Sequence, residues 1–362
     1  MKTRDRPIPP GGTIGIIGGG QLGRMLAMAA AQLGYRCHIY SPGASSPAGE
    51  VSASVTSADY DDAAALARFA DAVDVVTYEF ENIPVAAMRV LEGRALIRPS
   101  IAALETAQDR IAEKSFVAAL GGRTAPWAAV PDRAALDGAL AAVGTPAILK
   151  TVRMGYDGKG QARILGPADA DAAWQAIGGR PAILEGFVSF DQEFSVIVAR
   201  GADGAVRAWD VPENVHHNGI LATSTAPAGG LIAEQAAAAT ALAGQIAAAL
   251  DYVGVLACEF FATADGPLFN EMAPRVHNSG HWTTEGAVTS QFENHIRAVA
   301  GLPLGDTALT AKRVVMTNLI GDAFNQWPAL LAEPAAHVHL YGKSTVRPGR
   351  KMGHVTRLFP EG

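Results

Sequence analysis

Two glutamates, Glu259 and Glu271, stand on either side of the turn-like segment Thr263-Ala264-Asp265-Gly266-Pro267-Leu268. Apolar runs flanking an Asp-Gly turn are a hairpin signal, and a hairpin can set both carboxylates side by side on one face. Paired carboxylates on a rigid sheet suit a hard cation. Mg²⁺ in particular is usually held by one or two protein carboxylates, with substrate phosphates completing its shell. Arg275, His277 and Asn278 follow on one loop of the run Asn270-Glu-Met-Ala-Pro-Arg-Val-His-Asn-Ser-Gly-His281. A cation site beside such a loop points to phosphoryl chemistry on an anionic substrate.

Other segments offer anion-binding chemistry. Gly155-Tyr156-Asp157-Gly158-Lys159-Gly160 follows the strand-like Ile148-Leu149-Lys150. Flexible backbone, exposed amides and one cation fit a phosphate-cradling lid; the other reading is an Asp-Gly hairpin turn. It is no Walker A loop, because no Ser or Thr follows the lysine. Gly18-Gly19-Gly20-Gln21-Leu22-Gly23 fits G-x-G-x-x-G after a strand and at the start of a helix, where amides and the helix N-terminus attract an anion. A dinucleotide site also needs an acidic residue near the end of the second strand, and Ile39-Tyr40-Ser41-Pro42 has none. Gln21 and Arg24 suit a different ligand, such as a phosphorylated small molecule, and a glycine turn kept only for packing is the third reading. In Tyr78-Glu79-Phe80-Glu81-Asn82, Glu79 is the candidate ligand residue, since strand ends of doubly wound sheets face ligands. The pair His277-x-x-x-His281 has a zinc-like interval, but Asn278-Ser279-Gly280 is a poor helix interior. Loop histidines bonded to substrate or backbone fit better. The basic stretch Arg347, Arg350, Lys351 reads as a solvated turn unless it folds onto a phosphate.

Elements that could position these residues follow from periodicity. Thr13–Ile17, Arg36–Tyr40 and Val73–Tyr78 read as strands alternating with helices over 22–33 and 63–70, a parallel, doubly wound sheet ending near Pro99-Ser100. A helix bearing Asp109, Arg110 and Lys114 comes next, then strands at 147–151, 182–185 and 193–199, helices at 233–250 and 290–300, and strands at 313–319 and 337–340. A chain of 362 residues needs two or three domains. The formal charge of −6 argues against nucleic-acid binding. Two isolated cysteines, Cys37 and Cys258, read as buried apolar residues. With no leader-like segment and no apolar run of membrane-spanning length, a cytoplasmic protein is expected.

Taken in order, these motifs resemble the ATP-grasp enzymes of purine biosynthesis, and most closely the N5-carboxyaminoimidazole ribonucleotide synthetases. The resemblance is carried by Gly18–Met25, Tyr78–Asn82, Gly155–Gln161, Asn270–Trp282 and Arg347–His354, nearly the whole chain. It implies an extension (1–11), an α/β doubly wound domain (12–104), a two-lobed α+β ATP-grasp domain (105–302) and a small β-rich C-terminal domain (303–362). ATP and Mg²⁺ are the implied cofactors, and aminoimidazole ribonucleotide and bicarbonate the substrates. Lys114 and Lys150 would meet phosphates under the loop carrying Gly155, Gly158, Gly160 and Gln161. Glu185, Gly186, Phe187 and Val188 would form the adenine strand, Glu193 would bind ribose, and His216 and Asn270 would lie at the nucleotide. Glu259 and Glu271 would hold the metal. Gln21, Glu79, Lys343, Arg350 and Lys351 would contact the ribonucleotide, while Tyr156, Asp157, Lys159, Arg275, His277 and Asn278 would surround bicarbonate and the reacting amine. A homodimer without membrane or nucleic-acid partners is also implied. Another ATP-grasp ligase acting on a phosphoribosyl amine and a dinucleotide-dependent oxidoreductase are the alternatives.

Overall fold

The computed structural model describes residues 6–153 and 160–361. Gly155, Tyr156, Asp157, Gly158 and Lys159 therefore lie outside the described residues. Five parallel strands, β1 (Thr13–Ile17), β2 (Arg36–Ser41), β3 (Ser54–Ser57), β4 (Val75–Tyr78) and β5 (Leu96–Ile97), form a sheet in the order β3-β2-β1-β4-β5. The helices α1 (Gln21–Gln32), α2 (Ala63–Asp71) and α3 (Val85–Leu91) connect them. Strands covered on both faces read as continuous apolar runs, and Ile14, Ile16 and Ile17 are fully buried. Polar, largely exposed β3 carries no such signal because it is an edge strand. Gly34, at φ +78°, follows the last turn of α1 in the left-handed conformation that closes a helix. The strand order reverses between β1 and β4, so the loops after those two strands flank the position where such sheets bind ligands.

The helix expected around residues 109–114 is two helices, α4 (Ile101–Gln108) and α5 (Arg110–Ala119). Asp109 separates them in extended conformation, and its carboxylate accepts from the Ile111 and Ala112 amides at 3.1 Å. An N-cap needs a non-helical backbone, so the residue that starts α5 stops α4. Next comes an antiparallel sheet, β6-β9-β7-β8, built from β6 (Trp127–Val130), β7 (Ala147–Thr151), β8 (Gln161–Ile164) and β9 (Ala182–Gly186). The helices α6 (Arg133–Val143) and α7 (Ala170–Ala176) share its apolar core.

The largest sheet contains β10 (Gln192–Arg200), β11 (Val206–Ala208), β12 (Glu213–His217), β13 (Ile220–Ala226), β14 (Gly254–Thr263) and β15 (Gly266–Ala273). Helix α8 (Gly230–Ala249) covers one face through Ile232, Ala239, Ala243 and Ile246. After the short α9 (Thr283–Gly286), α10 (Gln291–Ala300) covers part of the other. Alternation along β10 sorts Phe194, Val196 and Val198 to the first core and Ile197 and Ala199 to the second. The C-terminal strands β16 (Arg313–Ile320), β17 (Ala336–Leu340) and β18 (Lys351–Phe359), with α11 (Trp327–Leu331) between them, do not build a separate sheet. Pairing of β16 with β13 continues the large sheet to nine strands. The basic stretch thus turns at Gly349 and enters β18 at Lys351, which brings Lys351 toward the middle of the molecule. Among the described residues no helix is long and apolar enough to cross a membrane.

Candidate active site

A cavity of about 750 Å³ opens where the parallel sheet, the small sheet, the large sheet and the start of β18 meet. The hairpin reading holds at its floor, where Glu259 on β14 pairs directly with Glu271 on β15. The register then slips, so that Phe260 opposes Phe269. That bulge leaves Asn270 without an opposite residue and re-aims it, so that neighbouring Asn270 and Glu271 both line the cavity.

The two carboxylates are not equivalent. Arg110 Nη1 lies 2.9 Å from Glu271 Oε2. Burial, the largest influence, would raise Glu271, but Arg110 and Lys150 together bring that carboxyl below the ordinary range. Glu259 is raised, first by burial and then by the charge of Glu271. Its Oε1 stands 3.1 Å from His277 Nε2. Burial, then Arg275 and Lys351, take His277 well below the usual imidazole value. A third carboxyl, Glu113, accepts from the Met272 amide at 2.6 Å and is raised by burial and by Glu271.

The lysines divide in two. Lys150 lines the cavity, with Nζ 2.8 Å from Glu185 Oε2. Lys114 is buried behind the wall, with Nζ 3.5 Å from Glu185 Oε1 and donating to the Asn270 carbonyl at 3.2 Å. Burial would raise Glu185, and the two lysines bring it below its ordinary value instead. The cation beside the carboxylate pair at this end of α5 is Arg110, which the motifs did not single out. A signal for it existed, because a cation in the first turn opposes the helix dipole and so needs an acidic partner.

At the mouth of the parallel sheet the Gly-rich turn is filled by the protein itself. Glu79 accepts from the Gly20 amide at 2.6 Å and from the Gly23 amide at 2.9 Å. A Cβ on Gly18 would stand 2.5 Å from Glu79 Cγ, and one on Gly20 would stand 2.7 Å from Glu79 Oε1. The glycines thus make room for a side chain at the place where a pyrophosphate would sit in a dinucleotide site. Glu79 and Gln21 both still border the cavity. Glu81, passed over in favour of Glu79, pairs with the Arg275 Nε. Burial would raise Glu81, and Arg275 brings it below the ordinary carboxylate range.

Gln161, Glu193, His216, Asn278 and Lys351 also line the cavity. Burial would lower His216, but its pairing with Glu193 and the nearby Glu259 charge together raise the imidazole. Gly160, Gly186, Phe187 and Val188 are not on the cavity wall, and neither are Lys343 and Arg350. Lys343 Nζ donates to the Lys351 carbonyl at 2.7 Å, and Arg350 donates to the Thr345 carbonyl at 2.8 Å. His281, the second member of the zinc-like interval, is fully buried against Gln291 Nε2 at 3.2 Å.

The chain matches three family models in succession. These are a ribonucleotide synthetase preATP-grasp domain over residues 12–108, an ATP-grasp domain over 115–292 and a phosphoribosylaminoimidazole carboxylase C-terminal domain over 314–361. The N5-carboxyaminoimidazole ribonucleotide synthase of Brucella melitensis biotype 1 is 55% identical over 356 residues, covering 98% of each chain. The chain belongs to the N5-carboxyaminoimidazole ribonucleotide synthase family. The solved structure of the family member from Thermus thermophilus is 50% identical with a TM-score of 0.90, covering 96% of this chain and 94% of that one. The Aspergillus clavatus synthase in complex with ADP and 5-aminoimidazole ribonucleotide is 31% identical with a TM-score of 0.90, covering 97% and 94%. Family membership makes this an ATP-grasp ligase and sets the oxidoreductase reading aside, in keeping with the Glu79-filled glycine turn.

Proposed function

We propose that this cavity carries out the ATP-dependent carboxylation of 5-aminoimidazole ribonucleotide with bicarbonate, giving N5-carboxyaminoimidazole ribonucleotide, ADP and phosphate. The observation that carries this reading is the convergence of three groups on one cavity: the carboxylate pair Glu259/Glu271, the loop Arg275–Asn278, and Lys351. Glu259 and Glu271 fit Mg²⁺, which asks for one or two carboxylates beside phosphate oxygens. The repulsion that raises Glu259 is what a cation there would relieve. When bound, Mg²⁺ supplies neutralising charge for the transferred phosphoryl group.

The protein's own groups then have distinct tasks. Arg110 and Lys150, both cations on the cavity wall, take the phosphates of ATP in this reading, while Glu193 binds its ribose and His216 and Asn270 lie at the nucleotide. A bicarbonate oxygen attacks the γ-phosphorus, ADP leaves, and carboxyphosphate forms. Arg275, His277 and Asn278 hold the small anion against the amine of the ribonucleotide. The amine nitrogen then attacks the carboxyl carbon of carboxyphosphate, with phosphate leaving with the C–O bonding pair, or attacks CO₂ already released with that phosphate; on either route the amine gives up a proton. Because carboxyphosphate hydrolyses readily, burial of these residues serves to exclude water. Lys351 and Gln21, at the junction of the first and last units, receive the ribonucleotide. A cytoplasmic homodimer belongs to the same reading, on the strength of the family resemblance.

The test is ADP release with Mg-ATP and bicarbonate, with and without the ribonucleotide, alongside direct detection of the carboxylated product. Ribonucleotide-dependent ADP release matched by product supports the proposal. ADP release that ignores the ribonucleotide overturns it in favour of another acceptor.

A further inference from the structure

Behind the cavity wall runs a single file of polar side chains with no part in the chemistry described above. Ser224 Oγ donates to Asn214 Oδ1 at 2.7 Å, and Asn214 Nδ2 donates to Ser195 Oγ at 3.0 Å. Ser195 Oγ lies 2.6 Å from Ser279 Oγ, which lies 2.8 Å from His277 Nδ1. The file ends at the cavity, where His277 Nε2 faces Glu259 Oε1 at 3.1 Å. Strand pairing builds it. Ser195 sits directly across from Glu259, and Asn214 directly across from Ser224, on neighbouring strands of the large sheet. Directly opposed residues share a face of a sheet. Ser195, Ser224 and Ser279 are fully buried, and Asn214 is 5% exposed. Buried polar groups at such cost are kept where a defined arrangement is needed.

The file has a direction. The Ser279 backbone amide points at His277 Nδ1, at 3.4 Å. A backbone N–H can only donate, so the nitrogen it faces carries a lone pair. The hydroxyls agree. Ser195 receives the Asn214 amide hydrogen, which leaves its own hydrogen free to go to Ser279, and Ser279 in turn can give its own to His277 Nδ1. A ring with a bare Nδ1 and a single proton carries that proton on Nε2, where the acceptor is Glu259.

We propose that Ser195, Asn214, Ser224 and Ser279 are positioning residues that fix His277 as the neutral Nε2–H tautomer. In that form His277 donates to one oxygen of Glu259, orients the carboxylate, and leaves the second oxygen for the cation. Outer partners that set a tautomer in this way typically change affinity or activity about 10–100-fold when removed. The consequence for turnover rests on the carboxylase reading, whereas the tautomer itself does not.

The test is a long-range ¹⁵N–¹H spectrum of the full-length protein labelled at the histidine rings, without substrate, with the His277 signals assigned from the His277→Gln spectrum. The expected wild-type pattern is a pyridine-type Nδ1 and a pyrrole-type Nε2. A protonated Nδ1, or two nitrogens averaged between tautomers, overturns the proposal whether or not any variant folds. In Ser279→Ala the Nδ1 signal is expected to move toward the tautomer average, with kcat reduced about 10-fold and the KM for ATP little changed. A folded Ser279→Ala protein with the wild-type ring pattern would overturn the side-chain relay, since the Ser279 backbone N–H, which the variant keeps, would then fix the tautomer without it. If the tautomer is found but no carboxylated product ever forms, the assigned reaction fails and the positioning relay stands.

Discussion

Glu259 and Glu271 face each other across β14 and β15, and Arg110 neutralises only one of them, lying 2.9 Å from Glu271. The arrangement stores repulsion that a cation removes. Replacing Glu271 by Gln would take away a metal ligand and leave Arg110 without its carboxylate. Several kcal/mol of charge stabilisation corresponds to a fall of about 10³-fold in kcat. Circular dichroism should show an unchanged fold, and near-normal turnover would contradict the metal assignment.

Metal binding should also depend on pH with a definite sign. Glu259 has a raised value, from burial and from Glu271, so at mildly acidic pH the cation competes with a proton. Binding of Mg²⁺ with a nucleotide is expected to weaken as pH falls and to release protons near neutrality. Calorimetry in buffers of different ionisation enthalpy measures that release, and Glu259→Gln should diminish it, leaving the share that comes from Glu113.

Glu113 supplies a stability test. Its carboxyl is pushed up to about 8, by burial and by Glu271, against about 4.3 in an unfolded chain. A group raised on folding stabilises fully below its unfolded value, and that contribution is lost as pH rises through the folded one. Glu113→Gln keeps an oxygen for the Met272 amide, 2.6 Å away in the wild type, and cannot ionise. The variant should match wild type in Tm at pH 4 and exceed it at pH 8, as thermal melts at the two values would show.

Much of this site was legible in the chain. The hairpin around Asp265-Gly266 sets the Glu259/Glu271 pair, and the strand and helix of the Gly-rich unit stand almost where periodicity puts them. What escaped depends on long-range contacts. No local pattern says that Glu79 reaches back to the Gly20 and Gly23 amides, or that Arg275 meets Glu81 from 194 residues away. The family resemblance implies Lys114 as a phosphate ligand, but one turn along the same face of α5 it is buried against Glu185 and the Asn270 carbonyl, and Arg110 is the one on the cavity wall. The basic tail hid a strand because Arg347-Pro348-Gly349-Arg350 is a turn signal leading directly into β18.

The Glu79 contact predicts a structural effect. Glu79→Ala leaves the Gly20 and Gly23 amides without their acceptor. Each unsatisfied buried donor costs about 1–3 kcal/mol, so Tm should fall by several degrees. An unchanged Tm would mean that water replaces the carboxylate at no cost.

Lys351 separates the two substrates. It enters the cavity from the start of β18, and Lys351→Ala is expected to raise the KM for the ribonucleotide about 10-fold or more, as for loss of a charged hydrogen bond. The KM for ATP should stay within about 2-fold, a change worth only a few tenths of a kcal/mol. Steady-state kinetics with each substrate varied in turn would show the split. A change confined to ATP would remove Lys351 from the ribonucleotide site.

The most direct measurement of the proposed chemistry is the transfer of ¹⁸O from labelled bicarbonate to inorganic phosphate during turnover with ATP and 5-aminoimidazole ribonucleotide. One labelled oxygen per phosphate, formed in step with the carboxylated product, is expected if bicarbonate attacks the γ-phosphate in this cavity. Unlabelled phosphate accompanying the same product would contradict it.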